Sequence, residues 1–219
     1  MLGYKGLPFE VEWVEYPDIA PKMKELGAAP GELTADGTEK YTLPVLRDPN
    51  TGAIITDSWE IAVYLDNTYP EKPVFPEGTK GLISAFATML SDQIEPAKKF
   101  PVLRSKEALN ERSAEYFLTT RQIHFNQKIE EWSPEGPERE KHWSIVEKAL
   151  AACKAVYDKT EGKWLMGNTF SYADILVASR LLWFKRVLRD DEWKRIAAWH
   201  DGYWERSLAD IERECKVMQ

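Results

Sequence analysis

The hydrophobic and polar positions between 42 and 70 follow the clearest pattern in the chain. Apolar runs at 43–46 and 53–55 flank the segment 48–52, whose sequence Asp-Pro-Asn-Thr-Gly is rich in turn-forming residues. Two short apolar runs separated by such a segment are typical of a β-hairpin. The pattern therefore predicts a strand, a tight turn and a second strand, followed by a helix.

The predicted helix begins at the Asp57-Ser58 pair and ends at Tyr69. Ser58 has the short oxygen-bearing side chain that caps backbone N–H groups, and Tyr69 precedes Pro70, which drives it out of helical geometry. A helix start also attracts a carboxylate through its N–H groups and its dipole. The Asp57 carboxylate beside the helix start would hold an ammonium, so the two together would recognise an amino-acid head group. An ordinary helix cap is the alternative interpretation.

Pro44 lies inside the first apolar run, where a proline removes a hydrogen bond from the strand ladder. Such a proline is tolerated at a sheet edge or beside a cis peptide bond. A cis bond leaves neighbouring backbone groups available to an extended ligand. We therefore predict that the Leu43–Pro44 bond is cis.

Elsewhere, strand-like periodicity gives way to helical periodicity. Residues 9–16 alternate apolar and acidic side chains and predict a strand with one buried face; 21–27 predict a short helix ended by Gly27, and 28–40 predict a loop. Prolines and a glycine at 71–78 indicate a linker. Beyond it, helical spacing predicts helices within 79–100, which Pro101 interrupts, 105–132, 138–158, 172–189 and 191–217.

A capping box marks the start of the helix at 172. Ser171 suits the N-cap position, and Asp174 stands three residues later, where its carboxylate can reach back to the Ser171 backbone. Phe170 and Ile175 are spaced as a hydrophobic staple. The motif is a folding signal rather than a chemical site.

These motifs resemble the glutathione transferases, and most closely the basidiomycete class called fungal A. The resemblance extends over nearly the whole chain and lies in Leu43-Pro44-Val45, Ile55-Thr56-Asp57-Ser58, and Ile61, Tyr64 and Leu65. It implies an α/β plus all-α fold. A thioredoxin-like, glutathione-binding domain, incomplete at its N-terminus, would occupy 1–72, and an all-helical bundle domain would occupy 79–219.

The resemblance also implies roles for individual residues. Pro44 would be the family's cis proline, the Val45 backbone would pair with the cysteinyl part of glutathione, and Asp57 and Ser58 would bind its γ-glutamyl end. Glutathione would be a co-substrate, added through its thiolate to an electrophilic apolar or aromatic small molecule, with no other cofactor. The family usually forms homodimers, and Trp59 with the helices of 79–132 is the candidate surface.

The chain begins with Met1-Leu2-Gly3-Tyr4-Lys5-Gly6, which resembles the end of the family's first helix. The family's first strand and most of that helix, which carry the Ser, Tyr or Cys that activates the thiol, have no counterpart here. The catalytic residue is therefore unassigned, because Tyr4 would lie at the wrong end of a helix about 18 Å long.

The strand at 9–16 would also lose its neighbour. The missing segment is then filled from elsewhere, rearranged, or lost to an incomplete gene model or an expressed fragment. We expect these 219 residues to bind glutathione weakly and to conjugate it poorly. A non-catalytic binder of glutathione conjugates or aromatic ligands is the alternative function, and an interaction protein that keeps the fold without a ligand is a third.

Three residues of the second long predicted helix, Tyr116, Arg121 and Phe125, share roughly one face. They either pack in the core or form a wall for an aromatic co-substrate. The histidines, His124, His142 and His200, lack metal-like spacing, so we expect surface positions and no metal site.

Composition and charge limit the classes of partner and the cellular compartment that we expect. The chain has 219 residues, 43% hydrophobic and 30% charged, as is usual for a globular protein. A net charge of −7 argues against nucleic acids and anionic membranes as partners. The two cysteines, Cys153 and Cys215, make no disulfide framework, and the N-terminus shows no apolar signal core, so we expect a reducing cytoplasm. Cys153 should be buried and inert, and Cys215 could be exposed.

Overall fold

A computed structural model of the protein describes residues 1–33 and 37–215. It separates into two compact units, one formed by Tyr4–Pro73 with Leu2 and the other by the chain from Val74 onward with Met1 and Gly3. The first contains short strands and helices, and every helix or strand assigned to the described part of the second is helical, which confirms the α/β plus all-α fold class. The domain limits predicted from the sequence, 1–72 and 79–219, stay a prediction.

The smaller unit contains three helices and two two-stranded antiparallel sheets among its described residues. In chain order they are α1 Leu2–Lys5, a 3-10 turn Tyr16–Asp18, α2 Ile19–Leu26, β1 Glu32–Leu33, β2 Glu39–Lys40, β3 Val45–Arg47, β4 Ile54–Thr56 and α3 Ser58–Thr68. Strand β1 pairs with β2, and β3 pairs with β4. As predicted, α2 ends at Gly27, whose φ of 77° is left-handed.

The hairpin and helix predicted at 42–70 are confirmed. Leu46 lies opposite Ile55, and the turn closes through hydrogen bonds from the Asp48 N–H to the Ala53 carbonyl at 2.9 Å and from the Gly52 N–H to the Asp48 carbonyl at 2.8 Å. Gly52 has a φ of 76°, a left-handed conformation that costs glycine little. The hairpin therefore forms from local turn chemistry.

The strand predicted at 9–16 is wrong. The structure assigns no strand to residues 7–15, and Tyr16 opens a 3-10 turn. The apolar side chains of the alternating pattern are exposed, with Trp13 84% accessible. A strand needs a neighbour for its backbone hydrogen bonds, and alternation of side chains alone does not supply one.

A buried lysine connects α1 to the end of α3. The Lys5 ammonium lies 2.8 Å from the Asp66 carboxylate and donates to the carbonyls of Tyr69, Glu71 and Lys72 at 2.8, 3.2 and 3.3 Å. A cation near the C-terminal carbonyls of a helix also complements the helix dipole. The charge of this side chain is thus balanced within the smaller unit.

The larger unit is built from α4 Lys80–Ile94, a 3-10 turn Glu95–Ala97, α5 Lys99–Glu107, α6 Glu111–Phe125, a 3-10 turn Ile129–Glu131, α7 Pro137–Tyr157, α8 Tyr172–Val187 and α9 Asp190–Cys215. The core contains most of the large aromatic residues of the unit, among them Trp132, Trp143, Trp164, Trp204, Phe100 and Phe184. Four of the nine tryptophans therefore pack in this core. No helix among the described residues combines the length and apolar character that a membrane crossing requires.

The predicted helix at 105–132 is wrong in its limits. Pro101 lies in the first turn of α5, where a proline costs no hydrogen bond. The chain breaks later, at 108–110, and Asn110 caps α6 by accepting a 2.9 Å hydrogen bond from the Ser113 N–H. Helix α6 then ends at Phe125 because Asn126 adopts a left-handed conformation with a φ of 48°.

Helix α9 is two helical segments joined by a left-handed turn. Trp199 has an extended ψ of 146°, and the next three residues, His200, Asp201 and Gly202, have φ values of 54°, 56° and 74°. The Trp204 indole N–H donates to His200 Nδ1 at 2.9 Å, and Arg206 donates to the Asp201 carbonyl at 2.6 Å, so side chains stabilise the turn. Positions 216 and 217 of the predicted helix lie outside the described residues.

The capping box of α8 is confirmed and extends further than predicted. Asp174 is fully buried and accepts hydrogen bonds from the Ser171 N–H at 2.9 Å and the Ser171 hydroxyl at 3.0 Å. The same carboxylate accepts from the Leu165 N–H and the Tyr157 hydroxyl, both at 2.9 Å. One acidic side chain therefore fixes the helix start, the loop before it and the end of α7.

Arg104 and Glu192 form a buried ion pair between α5 and α9. Arg104 Nε donates to both Glu192 oxygens at 3.1 and 2.9 Å, and Nη2 donates to Oε1 at 2.6 Å. Arg104 Nη1 also donates to Glu107 at 2.9 Å, and the Arg189 N–H donates to Glu192 at 3.0 Å. Burial opposes ionisation of Glu192, but these donors outweigh it and lower the pKa of the carboxyl.

The lowered pKa of Glu192 predicts a stability difference that depends on pH. A group whose pKa falls on folding stabilises the protein above its unfolded pKa, about 4.3 for Glu, and loses that contribution as the pH falls through the folded value. The wild type should therefore be more stable than Glu192→Gln at neutral pH, and the difference should shrink below about pH 4.3. Urea unfolding of both proteins across this range measures it. A difference that does not change with pH would contradict the assignment.

Both cysteines are buried, so the expectation that Cys215 could be exposed is wrong. Burial raises the pKa of Cys153 to about 12 and also raises the pKa of Cys215. A thiol whose pKa is raised in this way stays protonated at neutral pH and is a poor nucleophile. Neither side chain is a candidate catalytic group.

Candidate functional site

The candidate site lies at one end of the β3–β4 hairpin. Antiparallel pairing places Val45, the first residue of β3, opposite Thr56, the last residue of β4. Pro44 and Asp57 are therefore neighbours at the same end of the hairpin. The Leu43–Pro44 peptide bond is cis, as predicted, and the Pro44 side chain is exposed.

Asp57, rather than Ser58, caps α3. Its Oδ1 accepts hydrogen bonds from the N–H groups of Trp59 at 2.7 Å and Glu60 at 3.3 Å, while its carbonyl accepts from the Ile61 N–H at 2.9 Å. The prediction that Ser58 provides the cap is corrected, because Ser58 is the first helical residue and the cap is the residue before it.

The backbone of Asp57 is unusual for a residue with a side chain. Its φ of 81° and ψ of 135° lie outside the regions that L-residues commonly adopt. Such conformations cost on the order of 1–3 kcal/mol and are concentrated at functional sites. The cap hydrogen bonds hold Asp57 in this conformation, with the exposed side chains of Asp57 and Ser58 adjacent at the helix start.

The arrangement suits a zwitterionic amino-acid group. Asp57 accepts from the N–H groups of Trp59 and Glu60, and the N-terminus of α3 offers the positive end of the helix dipole and the Ser58 hydroxyl to a carboxylate. The Asp57 carboxylate offers a negative charge to an ammonium. Val45 lies opposite Thr56 on the neighbouring strand, beside Asp57 in sequence register.

Asp48 supports the hairpin from its other end, and the sequence pattern marks this residue only as a turn former. Its buried Oδ2 accepts hydrogen bonds from the hydroxyls of Tyr64 at 2.6 Å and Tyr69 at 2.7 Å, both from the α3 region, and its Oδ1 accepts from the Asn50 N–H at 2.9 Å. The Tyr64 and Tyr69 hydroxyls lower the pKa of Asp48. The carboxylate thus ties the hairpin turn to the C-terminal half of α3.

The three residues considered as a co-substrate wall do not share one face. Tyr116 and Phe125 are nine residues apart on α6, which at about 100° per residue places them on opposite sides of the helix. Tyr116 is 44% exposed, the Arg121 guanidinium lies 4.8 Å from the Phe117 ring centroid, and Phe125 packs edge-on against Trp132 at 5.1 Å. The expectation of a common face is corrected, and a co-substrate role for any of them stays a prediction.

The histidines are not all at the surface. His142 is buried, with Nδ1 2.9 Å from the Ser133 hydroxyl, whereas His124 is exposed. Among residues 1–33 and 37–215, no three His, Cys, Asp or Glu side chains lie close enough together to hold a metal ion. Tyr4 packs its ring below the Lys72 ammonium, 5.5 Å from the ring centroid.

Both halves of the chain match family models of known proteins. The family model for the glutathione S-transferase N-terminal domain matches residues 1–68, and the model for the C-terminal domain matches residues 81–213. A curated relative, the glutathione S-transferase-like protein ustS of Aspergillus flavus, is 32% identical over 235 residues, which cover 97% of this chain and 82% of the relative.

Solved structures of fungal glutathione transferases are also similar. A glutathione S-transferase of Ceriporiopsis subvermispora, CsGST63524, solved in complex with glutathione, is 39% identical with a TM-score of 0.92, covering 100% of this chain and 88% of that one. A second Ceriporiopsis enzyme, CsGST83044, also a complex with glutathione, is 36% identical with a TM-score of 0.90 over 97% and 88% of the two chains. GSTFuA2 of Phanerochaete chrysosporium is 33% identical with a TM-score of 0.89 over 99% and 88%.

Proposed function

The chain belongs to the glutathione S-transferase family, and from that membership we propose that it binds glutathione at the start of α3 and transfers it to an electrophilic apolar or aromatic small molecule. The observation that carries the proposal is the juxtaposition of Asp57 and Ser58 with Pro44 and Val45 at one end of the hairpin. Similar fungal structures that were solved with glutathione bound support the choice of ligand.

Each part of the site has a role in this proposal. The γ-glutamyl carboxylate binds the Ser58 hydroxyl and the N-terminus of α3, and its ammonium faces Asp57. The backbone of Val45, next to the cis Pro44, pairs with the cysteinyl part of glutathione. These contacts hold the tripeptide, but they lie on the γ-glutamyl and backbone side of the ligand rather than at its sulfur.

The proposed reaction is nucleophilic substitution or addition by the glutathione thiolate. With 1-chloro-2,4-dinitrobenzene, a bond forms between the sulfur and the ring carbon, the carbon–chlorine bond breaks, chloride leaves and the thiol proton passes to solvent. The thiolate is the nucleophile, so the protein must favour ionisation of the thiol as well as bind the tripeptide. Binding the substrate and the transition state equally well would not accelerate the chemical step.

Turnover and binding separate this function from its alternative. Release of chloride from 1-chloro-2,4-dinitrobenzene above the uncatalysed rate, saturating in glutathione, would support the transferase. Calorimetric binding of glutathione without such turnover would instead favour a binder of glutathione and its conjugates. Absence of both would contradict the proposed site as well as the proposed reaction.

Replacing Ser58 by alanine is expected to weaken glutathione binding about 10- to 100-fold. The hydroxyl contacts a charged carboxylate, and a hydrogen bond to a charged group contributes about 1.5–3 kcal/mol. Isothermal titration calorimetry with glutathione measures the change. Ser179→Ala is the matched control, because Ser179 is an exposed serine on α8, and it should bind as the wild type does. Equal affinity of Ser58→Ala and the wild type would show that the γ-glutamyl group binds elsewhere.

We also propose that the protein forms a homodimer through Trp59 and the helices of 79–132. Leu82, on α4, is an apolar side chain within the proposed surface and is 70% exposed, so a substitution there tests the surface without disturbing the core. Light scattering should give about twice the 25.3 kDa chain mass, and Leu82→Arg should lower it. Lys148→Glu, on exposed surface of α7, is the control. A mass of 25.3 kDa at micromolar concentration would contradict the dimer.

A further inference from the structure

The segment 126–136, which we call the α6–α7 connection, is fastened to α7 by a buried hydrogen bond. Within it, Ser133 is 1% exposed, and its hydroxyl lies 2.9 Å from Nδ1 of His142, which is buried on α7. The neighbouring Trp132 is also buried and meets the Phe125 ring edge-on, with ring centroids 5.1 Å apart. The position of the connection therefore depends on a bond to a ring that can gain a proton.

The neighbours of this bond set its direction. A neutral imidazole has one N–H donor and one nitrogen that accepts. His142 Nε2 lies 3.8 Å from the Glu138 carboxylate, so we assign the proton to Nε2 and the acceptor role to Nδ1. Ser133 then donates its hydroxyl proton to Nδ1, and its Oγ accepts from Arg139 Nε at 3.4 Å. With a neutral ring, the hydroxyl has both an acceptor for its proton and a donor for its oxygen.

Protonation of the ring removes this complementarity. A second proton on Nδ1 makes both nitrogens of His142 donors. The Nδ1–H and the Arg139 guanidinium, which can only donate, then both point at Ser133 Oγ. The Ser133 hydroxyl proton loses its acceptor at a buried position, and a buried donor without an acceptor is destabilising. The closed connection is therefore compatible with a neutral His142 and not with a charged one.

The charged groups around His142 also disfavour a positive ring. Burial lowers the pKa of His142; Glu138 opposes this effect, and Lys141, Lys99 and Arg139 add to it. Lys99 belongs to α5 and the other three to α7. The further titratable residues that line the adjoining cavity are Glu95, Lys98, His124 and Glu131. The ring is therefore neutral at pH 7 and binds a proton less readily in the closed arrangement than it would in water.

We propose that the Ser133–His142 contact is an acid-sensitive latch, and that protonation of His142 releases the α6–α7 connection from α7. A released imidazole has an ordinary pKa of about 6.5, so below that pH the released form gains the proton more readily than the closed form. Acid therefore shifts the population toward release, whereas at pH 7.5 both forms are neutral. Trp132 and His142 both line a cavity of about 550 Å³, so release opens this cavity and exposes Trp132. The latch does not depend on the function proposed for the glutathione site.

Hydrogen–deuterium exchange of the 219-residue protein at pH 7.5 and pH 5.5, corrected for the intrinsic exchange rate at each pH, tests the latch. The reporters are the backbone N–H groups of Glu131 and Trp132, which donate to the carbonyls of Lys128 at 3.0 Å and Ile129 at 3.2 Å. Their protection should fall about three- to tenfold at pH 5.5, because a released imidazole is then protonated about ten to one. Amides at 146–150, inside α7, should keep their protection.

Three variants assign the response to the latch. His142→Gln keeps a hydrogen-bonding side chain that does not titrate, so its protection at 131 and 132, whatever its level, should be the same at both pH values. Ser133→Ala removes the hydroxyl and should already show at pH 7.5 the low protection of the wild type at pH 5.5. His124→Gln is the matched control, because His124 is an exposed histidine that lines the same cavity. It should respond to pH as the wild type does.

Four results would overturn the proposal. The first is equal wild-type protection at the two pH values, and the second is a wild-type response in His142→Gln. The third is loss of the response in His124→Gln, which would assign the proton to that residue. The fourth is an equal loss of protection throughout α7 and α8 at pH 5.5, because the acid would then unfold the larger unit rather than release the connection.

Discussion

Replacing Asp174 by alanine is expected to lower the free energy of unfolding by at least about 3 kcal/mol. The carboxylate accepts from two backbone N–H groups and two hydroxyls at a fully buried position. Each buried donor that loses its acceptor costs about 1–3 kcal/mol, and loss of a capping interaction costs about 0.5–2 kcal/mol. The penalties do not add fully, since the emptied space relaxes or admits water. Urea unfolding measures the difference.

Two further variants show whether the hydrogen bonds are responsible. Asp174→Asn keeps one acceptor oxygen and nearly the same volume, so it should be more stable than Asp174→Ala. Asp191→Ala removes an exposed acid from the first turn of α9 and should cost under about 1 kcal/mol. If Asp174→Ala were as mild as Asp191→Ala, the four hydrogen bonds of Asp174 would contribute little to stability despite their geometry.

Replacing Arg104 by methionine is the second change with a large expected effect, a loss of about 3–5 kcal/mol. The variant fills much of the same space but leaves Glu192 buried without its guanidinium partner. The penalty comes mainly from the uncompensated carboxylate. A second change, Glu192→Leu, should therefore recover most of the loss, because a buried ion pair replaced by apolar side chains of similar size is often near neutral.

The matched control for Arg104 is an exposed pair of the same chemistry. Arg195 donates to both oxygens of Glu140 at 3.0 and 2.8 Å, but both side chains are accessible to solvent. Arg195→Met should cost about 1 kcal/mol or less. If the double variant Arg104→Met/Glu192→Leu proved less stable than Arg104→Met alone, the hydrogen bonds of Glu192 to its own helix start would outweigh the ion pair.

Local signals in the sequence predicted those parts of the structure that depend on neighbours within a few residues. The turn at 48–52, the left-handed end of α2 and the capping box of α8 each rest on side chains next to the backbone groups they satisfy. The positions of Pro44, Val45, Asp57 and Ser58 follow from the same hairpin, although the cap proved to be Asp57 rather than Ser58.

The features that sequence reasoning missed depend on residues far apart in the chain or on helix geometry. Arg104 meets a glutamate 88 residues away, and no local pattern marks that pairing. The segment 9–16 shows the alternation of a strand, but a strand also requires a hydrogen-bonding neighbour. Tyr116 and Phe125 were predicted to share a helix face, but nine residues correspond to about two and a half turns, so they lie on opposite sides of α6. Pro101 does not end a helix, because α5 begins at Lys99 and Pro101 lies in its first turn.

The left-handed turn in α9 has a consequence for which length changes the chain can tolerate. Within a continuous helix, one inserted or deleted residue rotates everything beyond it by about 100°, which would swing the buried positions Trp204, Leu208 and Ile211 out of the core. At 199–202 the backbone leaves helical geometry, so the faces on which residues of the second segment lie do not depend on the number of residues in the first. Sequence variants that gain or lose a residue should therefore accumulate at this turn and be excluded from 204–215. A helical wheel drawn through all of α9 would therefore not show the apolar faces of the two segments correctly, because the segments before and after 199–202 need separate wheels.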